Sequence, residues 1–203
     1  GMHEVPIVYG LTIGEYAVMI NNEGWLNNNM KSKLTIIELK NYNRKVTYDL
    51  PILPSPNLPN RKSINLYPSL CLFEGTNVSV GRGTEMQFQI YGSPYLNKEK
   101  NNFRFTPKKN SGSKYPKHEN LLCFGKNLSE NKKLDKFDLS FLLNAYSDTN
   151  DKQNFFNNYF DKLAGTNSLK NQIISGLSEK KIIQSWKKKL DIYKEMRMKY
   201  LIY

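Results

Sequence analysis

The sequence predicts an α+β fold, with a mixed or antiparallel sheet in the first two-thirds of the chain and a helical segment at its C-terminal end. Two observations carry this. Short β-branched or alternating runs, such as Leu34–Leu39 and Met86–Ile90, all fall before residue 130, whereas helical spacing dominates after Phe137. Strands first and helices last argue against alternating strand–helix units and a doubly wound parallel sheet. With 203 residues and 39 % apolar content the chain is long enough to bury a core, and it reads as a single α+β domain over residues 1–203.

Taken in order, Thr12-Ile13-Gly14-Glu15 is a capping box that starts a helix over 12–22, and Gly24 ends it. Residues 30–130 read as a strand-rich core. Leu34–Leu39 is short, β-branched and bounded by polar residues, hence a strand. Pro51, Pro54, Pro56 and Pro59 then fix φ and remove N–H donors, which predicts a stiff extended loop. Leu70–Phe73 has the length and composition of a buried strand, and Glu74–Thr84, with three glycines, that of a loop. Met86–Ile90, Asn102–Phe105, Leu121–Gly125 and Lys126–Leu128 predict further strand. Helices are expected over 137–200: Phe137–Tyr146, Lys152–Leu163, Ser168–Leu177, and a last one from Ser178 to about Met198. Its stripe Ile182, Ile183, Trp186, Leu190 and Tyr193 follows the helical period.

The net charge of +12 is concentrated in residues 98–136 and 178–203, which carry +7 and +5. Of the 30 basic residues only five are Arg, the side chain that base edges and phosphates favour. No aromatic–basic recognition module is present, so a basic nucleic-acid binder ranks last among the readings, and nucleic acid is not an expected partner. No apolar run is long enough to span a bilayer, and the N-terminus shows no signal peptide. Two cysteines, Cys71 and Cys123, allow at most one disulfide. His3 and His118 are the only histidines, so neither a His-rich metal site nor a cofactor is expected.

The stretch with chemical content runs from Tyr67 to Thr84. It ends an apolar run on Glu74, whose partial burial would raise its pKa toward that of a general acid. Asn77, Ser79, Arg82 and Thr84 follow on a loop whose glycines let backbone approach a ligand. Uncharged donors and acceptors around one Arg suit a sugar with hydroxyls, an amide and a carboxylate. The alternative is a structural turn in which Arg82 pairs with Glu74 and the hydroxyls cap backbone. Asn57, on the proline loop, is a candidate rim contact, and His118 a candidate beside it. Glu15 is a second candidate carboxylate, although its capping role explains it.

At this stretch the chain resembles a known family. Cys71-Leu72-Phe73-Glu74-Gly75-Thr76-Asn77-Val78-Ser79-Val80-Gly81-Arg82-Gly83-Thr84, then Phe88 and Gly92-Ser93-Pro94-Tyr95, resembles the exo-β-N-acetylmuramidases of the NamZ (YbbC-like) family. Gly10-Leu11-Thr12-Ile13-Gly14-Glu15, Pro54-Ser55-Pro56-Asn57-Leu58-Pro59, Lys117-His118 and Phe160-Asp161-Lys162-Leu163-Ala164-Gly165-Thr166 extend the match, while Tyr9 stands where the family has His before the glycine. The resemblance implies a bacterial, exported glycosidase that releases N-acetylmuramic acid from the non-reducing ends of peptidoglycan fragments. It also implies that this chain corresponds to the C-terminal half, without the Rossmann-like N-terminal half, which would be a partner. Glu74 is then the expected catalytic group, with Asn77, Ser79, Arg82, Thr84, Asn57 and His118 as substrate contacts and Arg82 facing the lactyl carboxylate. The alternative within the same resemblance is a non-catalytic module that binds peptidoglycan fragments.

Overall fold

The computed structural model describes residues 3–203 and divides the chain into two compact units. One comprises the residues up to Asp49 together with Ile183–Tyr203; the other is Leu50–Ile182. The elements are α1 (Ile13–Asn22), α2 (Arg61–Leu70), β1 (Ile90–Ser93), β2 (Phe103–Phe105), β3 (Cys123–Asn127), α3 (Ser140–Asp148), α4 (Phe160–Ala164), α5 (Ser168–Ile174) and α6 (Glu179–Met198). The fold is α+β, with an antiparallel sheet and a long C-terminal helix. No described helix is long and apolar enough to cross a membrane, and Cys71 and Cys123 are free thiols.

In the first unit α1 starts at the predicted capping box: Glu15 N donates to Thr12 Oγ1 at 3.3 Å, and Thr12 N donates to Glu15 Oε2 at 2.7 Å. Gly24 follows its end at φ +71°, a left-handed position that favours glycine. Met19, Leu11 and Tyr193 form the buried centre, with Tyr16, Ile20, Trp25 and Met196 packed around them. The Glu15 carboxylate is fully buried. It also accepts hydrogen bonds from the Arg44 guanidinium and from Ile202 N at 2.7 Å. Burial raises the pKa of this carboxyl, but Arg44, Ile202 N–H and Thr12 outweigh it and hold it at about 2. Glu15 is therefore a structural anchor that ties α1 to the segment around Arg44 and to the C-terminal residues.

Leu34–Leu39 is not a strand. It runs without regular structure and is almost wholly exposed, and among the described residues no strand pairs with it. β-branched composition supplies a preference, but a strand needs a partner for its N–H and C=O groups. Ile36 is the half-buried exception, lying against Gly14 of α1.

In the second unit the sheet has the order β1-β3-β2, both pairs antiparallel, with Gly92 opposite Gly125 and Phe103 opposite the same Gly125. The expected strand over Met86–Ile90 shrinks to its last residue. Phe88 adopts φ 53° and Gln89 N donates to Met86 O at 3.0 Å, so this segment is a turn and β1 begins at Ile90. Leu70–Phe73 likewise closes α2 and enters a 3₁₀ turn over Cys71–Gly75. A short apolar run is buried in either geometry, and its period does not separate the two.

Helix α2 has no counterpart in the sequence expectations. Its cap is reciprocal, Ser63 N donating to Asn60 Oδ1 at 2.9 Å and Asn60 N to Ser63 Oγ at 3.3 Å, with Ser in place of the usual Glu. Its buried face is Ser63, Leu66, Ser69 and Leu70. Half the face is serine, and Pro68 lies inside the helix, so the apolar period is faint. The core between α2 and the sheet is aromatic. Phe73 stacks on Tyr91 at 4.9 Å, Tyr91 meets Phe141 at 6.2 Å, and Phe156 meets Phe160 at 4.5 Å.

Only Phe160–Ala164 of the expected helix over Lys152–Leu163 forms. The backbone before it is committed elsewhere: Asn77 N donates to Phe155 O at 2.7 Å and Asn157 N to Gly75 O at 2.9 Å, and Thr76 and Phe156 form an antiparallel bridge.

The Glu15 arrangement predicts an acid limb in stability. A carboxyl held near 2, below its ordinary 4.5, stabilises fully above about pH 4.5, and that contribution is lost as pH falls through 2. Arg44→Ala, which strands the buried carboxylate, is expected to cost about 3 kcal/mol at pH 7. Denaturant unfolding followed by tryptophan fluorescence checks both, because Trp25 and Trp186 belong to this unit. Glu15→Gln should flatten the acid limb; an unchanged limb would contradict the assignment.

Candidate active site

Glu74 lies in the 3₁₀ turn over Cys71–Gly75 that continues α2, and the glycine-punctuated loop after it returns to place Arg82 beside it. Arg82 Nη1 donates to Glu74 Oε1 at 2.8 Å. The two side chains keep 42 % and 28 % of their surface exposed, Arg82 and Glu74 respectively, so the pair is open to solvent and not sealed in the interior. The turn is fixed by its own hydroxyls. Thr84 Oγ1 donates to Gly81 O at 2.7 Å and accepts from Met86 N at 3.0 Å, while Ser79 Oγ accepts from Gly81 N at 3.2 Å. Gly83 sits at φ +83°, and a Cβ there would come within 2.6 Å of Lys108 O and 2.7 Å of Pro116. That close approach lets the loop lie directly against the 108–117 segment.

Between the two segments is a cleft of about 390 Å³, lined by Glu74, Val78, Ser79, Val80 and Arg82 on one side and by Gly112–Lys117 on the other. Lys117 is its innermost cation. Its ammonium donates to Phe73 O at 3.2 Å, to Val78 O at 3.1 Å and to Thr76 O. Burial pushes its pKa down to about 8; Glu74 works against that and Arg82 with it. The next residue, His118, takes φ +60° and donates from Nε2 to Asn77 O at 2.6 Å. A carbonyl can only accept, so Nε2 carries the proton. Burial lowers the His118 pKa, with the Asn77 bond opposing and the Lys117 charge assisting. Two consecutive residues thus hold four carbonyls between Phe73 and Val78.

The residues singled out in the sequence divide into three groups. Glu74, Arg82 and Ser79 line the cleft, and the Ser79 backbone is paired with Gly92. Asn77 and His118 are joined just behind it, and both amide atoms of Asn77 are buried without a hydrogen-bond partner, as is Nε of Arg82. Atoms buried that completely are out of a ligand's reach, so the Asn77 amide does not face the cleft. Thr84 and Asn57 are not lining residues. Thr84 spends its hydroxyl on the turn, and Asn57 Nδ2 donates to Gly112 O at 2.8 Å, so it braces the cleft wall from outside. Glu74 lies in a 3₁₀ turn instead of a strand. Lys117, Ser113, Lys114 and Tyr115 of the facing wall are not among the expected site residues. Their only local signal is the Lys117-His118 pair directly after Pro116. Among the described residues no cluster of His, Cys, Asp and Glu is arranged to hold a metal.

The chain is similar to known proteins along its whole length. The family model for the C-terminal domain of exo-β-N-acetylmuramidase NamZ matches residues 65–203, and the model for the N-terminal domain of the same family matches residues 1–62. The two matches meet at the first turn of α2, so α1 and the proline-rich loop carry N-terminal-domain sequence. The peptidoglycan β-N-acetylmuramidase NamZ of Bacillus subtilis (strain 168) is 35 % identical over a 228-residue alignment covering 100 % of this chain and 52 % of that protein. The chain therefore spans about half the length of that relative. A crystal structure of a DUF1343 family protein from Bacteroides fragilis is 43 % identical, with a TM-score of 0.90 over 97 % of this chain and 56 % of that one. A second DUF1343 protein from the same organism, 20 % identical with a TM-score of 0.72, shares the fold. The chain belongs to the exo-β-N-acetylmuramidase NamZ family.

Proposed function

We propose that the cleft between the Glu74–Thr84 loop and the Gly112–Lys117 wall binds the terminal N-acetylmuramic acid of a peptidoglycan fragment. The chain acts as the substrate-binding part of an exo-β-N-acetylmuramidase working outside the cytoplasm. The observation that carries this reading is the half-exposed Glu74–Arg82 pair opening onto a cleft of sugar-ring size. Arg82, with Lys114 nearby on the facing wall, offers cationic recognition of the lactyl carboxylate, the group that separates this sugar from N-acetylglucosamine. The backbone and side chains of Ser79 and Ser113, on opposite walls, offer uncharged hydrogen-bonding groups for the acetamido group or a hydroxyl. Glycoside cleavage uses an acid and a second group as base or nucleophile. Glu74, the carboxylate of this cleft, supplies one of them.

Calorimetry with N-acetylmuramic acid and with N-acetylglucosamine tests the reading. The chain should bind the first in preference to the second. Arg82→Ala should weaken N-acetylmuramic acid by about 10- to 100-fold, the range for losing a hydrogen-bonded charge, and leave N-acetylglucosamine nearly unaffected. Lys188→Ala, on the exposed side of α6, should change neither. Equal affinity for the two sugars would contradict the proposal.

The Lys117 cage carries its own prediction. A lysine whose folded pKa is about 8 against an ordinary 10.5 binds fewer protons folded than unfolded between those values. Stability from this group therefore rises as pH increases from about 8 to 10.5. Lys117→Met should remove that rise relative to the unsubstituted chain, as measured by denaturant unfolding across the interval. A pH dependence shared by both proteins would show that the ammonium is not held as described.

A further inference from the structure

We propose that Tyr67 and Tyr159 form a stacking platform for the second sugar of the bound fragment, beside Glu74 and outside the cleft; this rests on the reading of the cleft given above. The two rings reach the place by different routes. Tyr67, Cys71 and Glu74 are spaced i, i+4, i+7 along α2 and the 3₁₀ turn that continues it, a spacing that keeps them on one face. Tyr159 arrives from the segment before α4. Asn157 donates through its backbone to Gly75 O at 2.9 Å and through its side chain to Glu74 O at 3.3 Å, and its Oδ1 accepts from Tyr159 N at 2.8 Å. The approach is tight: a Cβ on Gly75 would lie 2.5 Å from the Cα of Phe160.

The Tyr67 phenol senses this cluster. Burial comes first in raising the pKa of Tyr67, followed by the Cys71 thiol and the Glu74 charge, with Arg82 opposing and Tyr159 adding to it. Both rings are nevertheless open, Tyr67 at 38 % and Tyr159 at 54 %, and Tyr67 is braced by Phe88 with ring centroids 5.0 Å apart. Cys71, one turn after Tyr67, is no competitor chemically, since burial pushes its thiol up to about 11.

A tyrosine ring offers an apolar face with a polar tip, which matches the C–H face and hydroxyl rim of a pyranose. Glu74 lines the cleft, whereas neither tyrosine does. A saccharide with its terminal residue in the cleft and its glycosidic oxygen at Glu74 therefore extends its next residue past Glu74, onto the two rings. The class of ligand is a neutral amino sugar linked to the reducing side of N-acetylmuramic acid.

The test compares methyl N-acetylmuramide with the disaccharide N-acetylmuramyl-N-acetylglucosamine by calorimetry on the full chain. The unsubstituted chain should bind the disaccharide about tenfold more tightly, as expected of an aromatic contact. Tyr67→Ala with Tyr159→Ala should erase that advantage while the monosaccharide affinity stays the same. Both positions are exposed, and Tyr67→Phe with Tyr159→Phe, which keeps the rings, should retain most of it. Equal affinity of the unsubstituted chain for the two ligands overturns the platform alone, as does a double alanine variant that weakens both equally. Binding of neither ligand overturns the cleft reading and the platform with it.

Discussion

The second unit is organised around one buried ammonium. Lys117 takes the carbonyls of Phe73, Thr76 and Val78, and His118 takes that of Asn77. A segment outside the sheet must still place its carbonyls, because each buried and unpaired one costs free energy. Here they converge on two adjacent donors. That convergence sets the path of the chain from Phe73 to Val78, hence where Glu74 ends up and where the loop turns back to bring Arg82 against it. The ammonium is desolvated in return, which is the physical origin of its lowered pKa.

The remainder of the unit supports that loop from both sides. Phe155 and Asn157 hydrogen-bond to its outer edge, and the Ser79–Gly92 bridge ties its far end to β1. Phe73 and Tyr91 stack beneath it. The result is a rigid wall carrying an ion pair that is left partly in water. An Arg82–Glu74 pair and backbone-capping hydroxyls are also what a purely structural turn would show. The open cleft beside the pair is what such a turn does not need.

What could be read from the sequence follows from how local each signal is. The Thr12–Glu15 box and Gly24 delimit α1 because capping is decided within four residues. The last helix is legible over Glu179–Met198 because its period is long. The Glu74–Thr84 loop is legible from its glycines, and Glu74, Val78, Ser79, Val80 and Arg82 of it line one wall of the cleft. By contrast, the strand expected at Leu34–Leu39 fails for want of a pairing partner, and α2 hides behind a serine-rich buried face and Pro68. The helix expected from Lys152 loses its first part to hydrogen bonds with residues some 80 positions earlier. Lys117 was invisible as a site residue for the same reason: its three acceptors lie about 40 residues away along the chain.

The central claim is that this caged loop and the facing wall form a seat for an acidic amino sugar. A crystal structure of the chain with N-acetylmuramic acid measures that directly. The expected result is the lactyl carboxylate within hydrogen-bond distance of the Arg82 guanidinium, the sugar ring between Glu74 and the Gly112–Lys117 wall, and Lys117 still holding its three carbonyls. A sugar bound elsewhere on the chain, with the Glu74–Thr84 cleft empty, would contradict it.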